Sequence, residues 1–212
     1  MSTLQSTLRS PPYSLPVVTL SLDDLYLTHD DQVQLAKNNP TNPLLQHRGQ
    51  PGTHDLPLAE SVFASLRSGR PTAIPQYDKS AFSGQGDRVP QAQWESVNEP
   101  GQEQIKVLIF EGWSVGFRAW DEDVLRAKWE TAVRTKDDKG SDYKGRLGHV
   151  KFEDVKTVND LLRKYDGLTK FVALIDGQFA GFELIDFLLT SQLDALIHMY
   201  APGPSNAIFG IE

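Results

Sequence analysis

The sequence predicts an α/β fold with a mostly parallel sheet flanked by helices. Residues 17–22 (VVTLSL) and 105–110 (IKVLIF) are short apolar runs with the composition of strands buried in a parallel sheet. Charged stretches with helical character and long loops rich in proline and glycine lie between and after these runs. Strands separated in this way are typical of a sheet whose faces are covered by helices.

Two capping residues predict helices after the first strand. Thr28 is suited to cap a helix over residues 30–37, and Asp55 to cap a helix from about 58 to 66. Short side chains that carry oxygen accept hydrogen bonds from the free N–H groups of a first helical turn. The segment between these helices contains several prolines and glycines, which predicts a long loop.

The next elements are expected to be short or rich in charge. Residues 72–77 (TAIPQY) predict a short strand, and residues 78–88 (DKSAFSGQGDR) predict a polar loop. Residues 121–170 carry charges of both signs, which predicts helices joined by a solvated linker around 136–146. Residues 193–199 (LDALIHM) predict another buried strand.

The length and composition indicate one globular domain. A chain of 212 residues, 39% hydrophobic and 23% charged, suits a single core. We expect this domain over residues 17–199, with an irregular arm before it (1–16) and an irregular tail after it (200–212). The sequence has no long uncharged apolar run, and its first ten residues have no secretory signal. We therefore expect a cytoplasmic protein that does not enter a membrane.

The charge balance and the absence of cysteine exclude several classes of function. A net charge of −7 gives no basic footprint, so nucleic acid is not an expected partner. With no cysteine, the sequence has no disulfides, no thiolate nucleophile and no Cys-ligated zinc.

Acidic residues follow both predicted parallel strands. In such sheets, ligands bind beyond the carboxyl ends of the strands. Asp23 and Asp24 follow the first strand, where a carboxylate can accept a proton from a substrate hydroxyl or hold Mg²⁺. Capping of a helix is the alternative for this pair. Glu111 directly follows the apolar strand, and its charge there needs a metal, another cation or a structural ion pair.

Basic residues lie in two loops rich in glycine. Arg48 belongs to HRGQPGTHD, while Lys79 and Arg88 belong to DKSAFSGQGDR. An arginine suits two-pronged binding of a carboxylate or phosphate, although a solvated surface role remains open for each of these cations. Tyr77 and Asp78, which follow the short predicted strand, are expected near the same edge.

Four ordered blocks resemble a known family of kinases. LDDLYLTHDDQ, NPLLQHRGQPGTHDL, PQYDKSAFSGQGDR and VLIFEGWSVGF follow one another as they do in D-glycerate 3-kinases of the plant type and their eukaryotic relatives. More distantly, they resemble the group of uridine kinase and phosphoribulokinase. The resemblance covers about residues 17–121, and the four blocks together are highly specific.

The resemblance implies a role for each acid and an acceptor pocket. Asp23 matches the base that accepts the proton of the substrate hydroxyl, and Asp24 is its neighbour. Glu111 matches the acid that orders Mg²⁺, for which Asp23 is a second candidate ligand. ATP and Mg²⁺ are the implied cofactors, and glycerate or a similar hydroxy acid is the implied substrate. The blocks also imply six substrate-binding residues: Arg48, His54, Asp55, Tyr77, Lys79 and Arg88.

The sequence departs from the family at two places. The family begins with a strand and a GxxxxGK[ST] loop that holds the phosphates of ATP. No glycine of this sequence is followed by Lys-Ser or Lys-Thr, so we expect a P-loop kinase fold that lacks its first strand and its P-loop. After residue 170 there is no Lys or Arg, and the family's helix with a Trp-Arg pair has no counterpart.

Two functions follow from these observations. The first is an ATP-dependent kinase of the glycerate kinase type, which transfers the γ-phosphoryl group to a hydroxyl of glycerate or a similar hydroxy acid. The second is a fragment or pseudokinase without ATP binding, because the phosphate-binding loop is absent.

Overall fold

The computed structural model describes residues 2–168 of the chain. The helices in this range are α1 (Ser2–Arg9), α2 (His29–Asn38), α3 (Leu56–Arg67), the short α4 (Ala81–Gly84), α5 (Glu122–Lys139) and α6 (Phe152–Arg163). The strands are β1 (Val17–Ser21), β2 (Thr72–Ile74), β3 (Tyr77–Asp78), β4 (Asp87–Arg88), β5 (Glu95–Val97) and β6 (Val107–Glu111). Short 3₁₀ helices cover Leu22–Leu25, Gln91–Gln93, Gly140–Asp142 and Leu147–His149. The prediction of an α/β fold is confirmed.

The two apolar runs form the predicted parallel pair. Strand β1 pairs with β6 in a register that sets Val17 opposite Val107 and Ser21 opposite Glu111. Both strands therefore end at the same edge, and the 3₁₀ helix Leu22–Leu25 begins directly beyond it. This edge is where the sequence places the acidic residues.

The strand predicted over residues 72–77 is divided, and it does not extend the parallel sheet. Strand β2 pairs antiparallel with β5, and β3 pairs antiparallel with β4. Pro75 lies between β2 and β3, and because proline has no backbone N–H it interrupts a strand. The polar loop predicted over 78–88 is likewise wrong in part, since it contains β4. The short α4 in the same loop is a turn, because Phe82 and Ser83 have left-handed backbone angles.

The core lies between the parallel pair and two helices. Leu20 of β1, Phe63 of α3 and Leu162 of α6 are buried in one apolar cluster. The ring of Phe63 meets that of Phe110 edge-on, with 5.0 Å between their centres. This packing fixes the strands against α3 and α6, so that the edge of the sheet has a firm support.

The predicted helix caps are present. The side chain of Thr28 accepts a hydrogen bond from the N–H of Asp31 (3.3 Å) at the start of α2. The carboxylate of Asp55 accepts one from the N–H of Leu58 (2.9 Å) at the start of α3. Each helix begins one or two residues earlier than predicted, because the residues after the cap complete the first turn.

The expectation of an irregular arm is wrong for residues 2–9, which form α1. Leu8 is buried, and the guanidinium of Arg9 donates to the carbonyl oxygen of Val17 at 2.5 and 3.2 Å. These contacts with β1 stabilise a helix that has no acidic residue in its first turn.

The predictions for the second half of the chain have a mixed outcome. Helices over residues 121–170 are confirmed by α5 and α6, although α5 extends into the expected linker as far as Lys139. The strand predicted over 193–199 and the tail over 200–212 lie outside the described residues. Among residues 2–168, no helix is long and apolar enough to cross a membrane.

Candidate active site

The first acidic pair lies on the 3₁₀ helix that continues β1. The side chain of Ser21 caps this helix by accepting a hydrogen bond from the N–H of Asp23 (3.2 Å). The carboxylate of Asp24 accepts a hydrogen bond from the N–H of Tyr77 (3.2 Å). The structure therefore brings the acidic pair after β1 into direct contact with β3.

Asp23 is held by two donors and stays accessible. The ammonium of Lys79 lies 2.5 Å from its Oδ2 atom, and the hydroxyl of Tyr26 also hydrogen-bonds to it. The side chain of Asp23 is 29% exposed, and that of Lys79 is 57% exposed. A carboxylate with this exposure and these neighbours can accept a proton from a bound hydroxyl group.

Asp24 lies in an excess of negative charge. Burial raises the pKa of its carboxyl above the usual range, and the charges of Asp23 and Glu111 raise it further. Hydrogen bonds from the backbone at Tyr77 and Ser21 oppose this rise in the pKa. Three carboxylates are therefore close enough to repel one another, which favours a cation between them.

The acids suit Mg²⁺ only in the common mode in which the protein supplies few of the ligands. Among residues 2–168, no group of three or more His, Cys, Asp or Glu side chains is arranged to hold a metal ion. Mg²⁺ is commonly held by one or two carboxylates together with phosphate oxygens and water. Asp23, Asp24 and Glu111 have the right donor chemistry for that mode, and the charges of Asp23 and Glu111 add to the rise in the pKa of Asp24 that burial mainly causes.

A buried aromatic group, here called the floor, lies behind Asp23 and consists of Tyr26, His54 and Tyr165. The rings of Tyr26 and His54 stack with 4.5 Å between centres. The Nδ1 atom of His54 lies 2.7 Å from the hydroxyl of Tyr165, and that hydroxyl accepts a hydrogen bond from the N–H of Gly52 (2.8 Å). Burial lowers the pKa of His54 to about 4, an effect that the charge of Asp23 opposes. His54 is therefore neutral at physiological pH.

Arg88 and Asp55 form an ion pair beside the floor. Their closest atoms are 3.0 Å apart, and the side chains are 16% and 26% exposed respectively. Arg88 also donates to the carbonyl oxygen of Tyr26 (2.8 Å). Because Asp55 caps α3 as well, this pair ties the loop after β1 to β4 and to the start of α3. Direct contact of either residue with a substrate stays a prediction.

A large pocket with a basic wall opens beside Asp23. Its volume is about 770 Å³, and no Asp or Glu is among the described residues that line it. Five basic residues line it, namely His29 and the four residues here called the rim: Lys37, His47, Arg48 and Lys79. A positive lining in a protein of net charge −7 selects for an anionic ligand.

Arg48 organises the loop that forms one wall of this pocket. Its guanidinium donates to the carbonyl oxygen of Gly84 (2.7 Å), to that of Gln85 and, weakly, to that of Lys79 (3.4 Å). Gly86 has φ +85°, and a Cβ atom there would lie 2.5 Å from the Tyr77 ring. Only glycine allows this approach of the loop to the rings and cations of the site.

The structure thus gathers most of the predicted site residues. Contacts join Asp23, Asp24, Tyr77, Lys79 and Arg48 into one cluster, of which Lys79 and Arg48 line the pocket. Glu111 lies opposite Ser21 at the edge of the sheet. His54 and the pair of Asp55 and Arg88 support this cleft from behind.

Sequence reasoning missed four residues of the floor and the rim: Tyr26, Lys37, His47 and Tyr165. Tyr26 is adjacent to the acidic pair in sequence, so its aromatic ring after a strand was an available signal. Lys37 lies on a helix face that shows no local sign of a cleft. Tyr165 is 111 residues from its partner His54, and no pattern in the sequence links them.

Comparisons with known proteins show which proteins the chain is similar to. No protein-family model matches the chain. The uncharacterized kinase mug58 of Schizosaccharomyces pombe is 40% identical over 159 residues, which are 74% of this chain and 54% of that protein. The chloroplastic D-glycerate 3-kinase of Arabidopsis thaliana is 42% identical over 113 residues, or 51% of this chain and 24% of the relative.

A solved structure gives the same result for the fold. The D-glycerate 3-kinase of Cryptococcus neoformans superposes with a TM-score of 0.68 at 38% identity, over 79% of this chain and 55% of that one. The chain therefore spans about half the length, or less, of these relatives. Sequence and fold together identify the chain as a homologue of D-glycerate 3-kinase and related kinases.

Proposed function

We propose that the protein is an ATP-dependent kinase that phosphorylates a hydroxyl of glycerate or a similar small hydroxy acid. The observation that carries this proposal is the cleft where Asp23 lies 2.5 Å from Lys79 beside a wall of basic residues. A hydroxy acid presents a carboxylate, which cations bind, and a hydroxyl, which needs a base. The homology to D-glycerate 3-kinase supports the same substrate class.

The roles of the site residues follow from their positions. Arg48 and Lys79 bind and orient the carboxylate of the substrate. Once Lys79 turns to that carboxylate, Asp23 is free to accept the proton of the hydroxyl while Tyr26 holds the Asp23 side chain in place. Positioning and electrostatic stabilisation account for most of the catalysis in phosphoryl transfer, so the fixed floor contributes directly to the rate.

Mg²⁺ belongs to the proposal through the acids at the edge of the sheet. When bound, it would neutralise charge on the phosphates, with Asp23, Asp24 and Glu111 as the residues suited to hold it. The sequence contains no GxxxxGK[ST] motif, and no described residue is assigned to the nucleotide. A small-molecule substrate and a cytoplasmic location complete the proposal.

A phosphoryl-transfer assay with ATP, Mg²⁺ and D-glycerate tests this function. Asp23→Asn should lower the rate by about 10²- to 10⁴-fold, the range for loss of a general base, and leave D-glycerate affinity within a few fold. Asp30→Asn is the matched control, because Asp30 is a fully exposed acid on α2 and should keep the full rate. If the intact chain binds D-glycerate and yet phosphorylates no hydroxy acid, the kinase proposal fails.

A second candidate is a non-catalytic protein that binds a small acid. The absence of a GxxxxGK[ST] motif from the 212 residues favours it. This candidate predicts binding of D-glycerate without binding of ATP–Mg²⁺, which calorimetry on the same preparation distinguishes. Micromolar binding of ATP–Mg²⁺ would exclude it.

A further inference from the structure

We propose that the pocket has a second anion subsite, around Lys37 and His47, and that the acceptor is a longer sugar acid with a second anionic group. This inference rests on the proposed function, because it concerns the same acceptor pocket. The pocket is much larger than glycerate. The pocket has a volume of about 770 Å³, which lies in the range of roughly 300–1,000 Å³ typical of sites for drug-sized ligands. Glycerate, with three carbons, fills only a small part of that space.

The pocket extends along one face of α2. His29, Gln32, Val33, Ala36 and Lys37 line it, at the spacing that places residues on a single helix face. His29 is the first residue of α2 and Lys37 lies in its last turn. Eight residues at 1.5 Å each place them about 12 Å apart along the helix axis. The groove is therefore much longer than a three-carbon acid.

Cations line the groove both in the part where phosphoryl transfer is proposed and in the part around Lys37. Lys79, beside Asp23, and Arg48 serve the part where phosphoryl transfer is proposed. Lys37, at the other end of the helix face, and the exposed His47 line the same pocket. The lining between the ends of α2 is polar at Gln32 and apolar at Val33 and Ala36.

The lining of the pocket also lacks competing negative charge in the part of the chain that the structure describes. No Asp or Glu lines the pocket among the described residues, so the Lys37 ammonium has no carboxylate partner within this lining. A cation that lines a cleft without an acidic partner there is available to a ligand anion. The spacing and charge together fit a sugar acid whose second carboxylate or phosphate lies at the far end from the reacting hydroxyl.

Two matched ligands separate length from charge. D-gluconate and D-glucarate both have six carbons, but gluconate has a carboxylate at one end and glucarate at both. We expect calorimetry to show glucarate binding about five- to tenfold more tightly than gluconate, as for one added charge-assisted contact at a partly exposed site. D-glycerate serves as the short reference.

Lys37→Gln tests whether Lys37 binds the second carboxylate of glucarate. This change should abolish the preference for glucarate over gluconate and leave D-glycerate affinity unchanged. Lys139→Gln is the matched control, because Lys139 lies in the last turn of α5 and does not line the pocket. It should keep the preference, and thermal unfolding of both variants checks that each is folded.

The outcomes distinguish this inference from the proposed function. Equal affinities for glucarate and gluconate, or a preference that survives Lys37→Gln, overturn the second subsite while the proposed function stands. If none of the three acids binds the intact chain, the acceptor site itself is refuted, and with it the proposed function. A preference for glucarate that Lys37→Gln removes supports the inference.

Discussion

The floor and the rim of the cleft differ in their burial, although both consist of polar side chains. The floor, Tyr26, His54 and Tyr165, is buried, and its rings are held by stacking and by the hydrogen bonds of the Tyr165 hydroxyl, while the Nε2 atom of His54 has no hydrogen-bond partner among the described residues. The residues of the rim line the pocket, and the Lys79 side chain is more than half exposed. We infer that floor residues should control stability and rim residues should control ligand binding.

The two ion pairs of the site show the same contrast. Asp55 and Arg88 are both mostly buried, and each has a further partner in the backbone. Asp23 and Lys79 are closer still, but the Lys79 side chain is 57% exposed whereas that of Arg88 is 16% exposed. Pairs with similar chemistry therefore have different roles, because burial and secondary partners decide whether an ion pair is structural.

The largest expected effect concerns the neutral histidine of the floor. The pKa of His54 is about 4 in the folded protein and near 6.5 in the unfolded chain, so the unfolded state binds a proton more readily between these values. The buried neutral imidazole therefore makes its full contribution to the free energy of unfolding above pH 6.5. That contribution falls by about 3 kcal/mol as the pH approaches 4. Denaturant unfolding at pH 7 and pH 4.5 should show this loss in the wild type and not in His54→Asn.

Asparagine at this position cannot titrate but retains an amide for the bond to Tyr165. Asp24 has a raised pKa and thus an opposite dependence on pH, but it is present in both proteins and cancels in the comparison. An equal loss of stability in the wild type and in His54→Asn would contradict the neutral, buried state of the imidazole.

A smaller effect is expected from the structural ion pair. Arg88→Met should lower the free energy of unfolding by about 2 kcal/mol, because it leaves the largely buried Asp55 carboxylate unpaired. Arg118→Met is the control, since the pair of Arg118 with Asp166 is 3.7 Å apart and about half exposed, and its loss should cost less than about 0.5 kcal/mol. Equal losses in the free energy of unfolding for the two variants would contradict the distinction between the two ion pairs.

The hydroxyl of Tyr165 should have a somewhat smaller effect again. Tyr165→Phe removes the acceptor for the Gly52 N–H and the partner of His54, which should cost about 1 to 2 kcal/mol by chemical denaturation. Tyr143→Phe is matched to it, because the Tyr143 hydroxyl also accepts a backbone N–H, from Gly148 at 3.1 Å, but lies outside the floor. We expect a clearly smaller loss there, and the reverse order would contradict the account of the floor.

The smallest expected change in stability is at the rim. Lys79→Met should alter the free energy of unfolding by less than about 0.5 kcal/mol, because the ammonium is exposed. Its affinity for D-glycerate should nevertheless fall about fivefold or more, since a charge-assisted contact is lost. Calorimetry and denaturant unfolding on the same sample measure both quantities, and a stability loss as large as that of Arg88→Met would remove the contrast.

Local signals explain which parts of the molecule could be predicted from the sequence. Runs of β-branched residues and caps such as Thr28 and Asp55 act over a few positions, so strand β1 and helices α2 and α3 were predictable. Helix α1 was not, because its stability depends on Leu8 and Arg9 contacting β1. The ordered blocks of the sequence placed the acids and cations at one edge.

The roles of individual charges could not be predicted in the same way. Arg88 and Lys79 lie in one loop and look alike in the sequence, yet the Arg88 side chain is mostly buried and the Lys79 side chain is mostly exposed. The floor depends on Tyr165, which reaches His54 from 111 residues away. Contacts between such distant positions arise from packing, and no pattern within a single segment encodes them.

The most direct test of the central claim is a chemical-shift map of D-glycerate binding on the ¹⁵N-labelled chain. We expect the largest chemical-shift changes in the lining of the pocket and small changes in α5. The positions concerned are the backbone of Gly84, Gln85 and Gly86, Lys79 and the Arg48 side chain. Shifts concentrated on α5 and α6, or no shifts at saturating D-glycerate, would contradict the assignment of this cleft as the acceptor site.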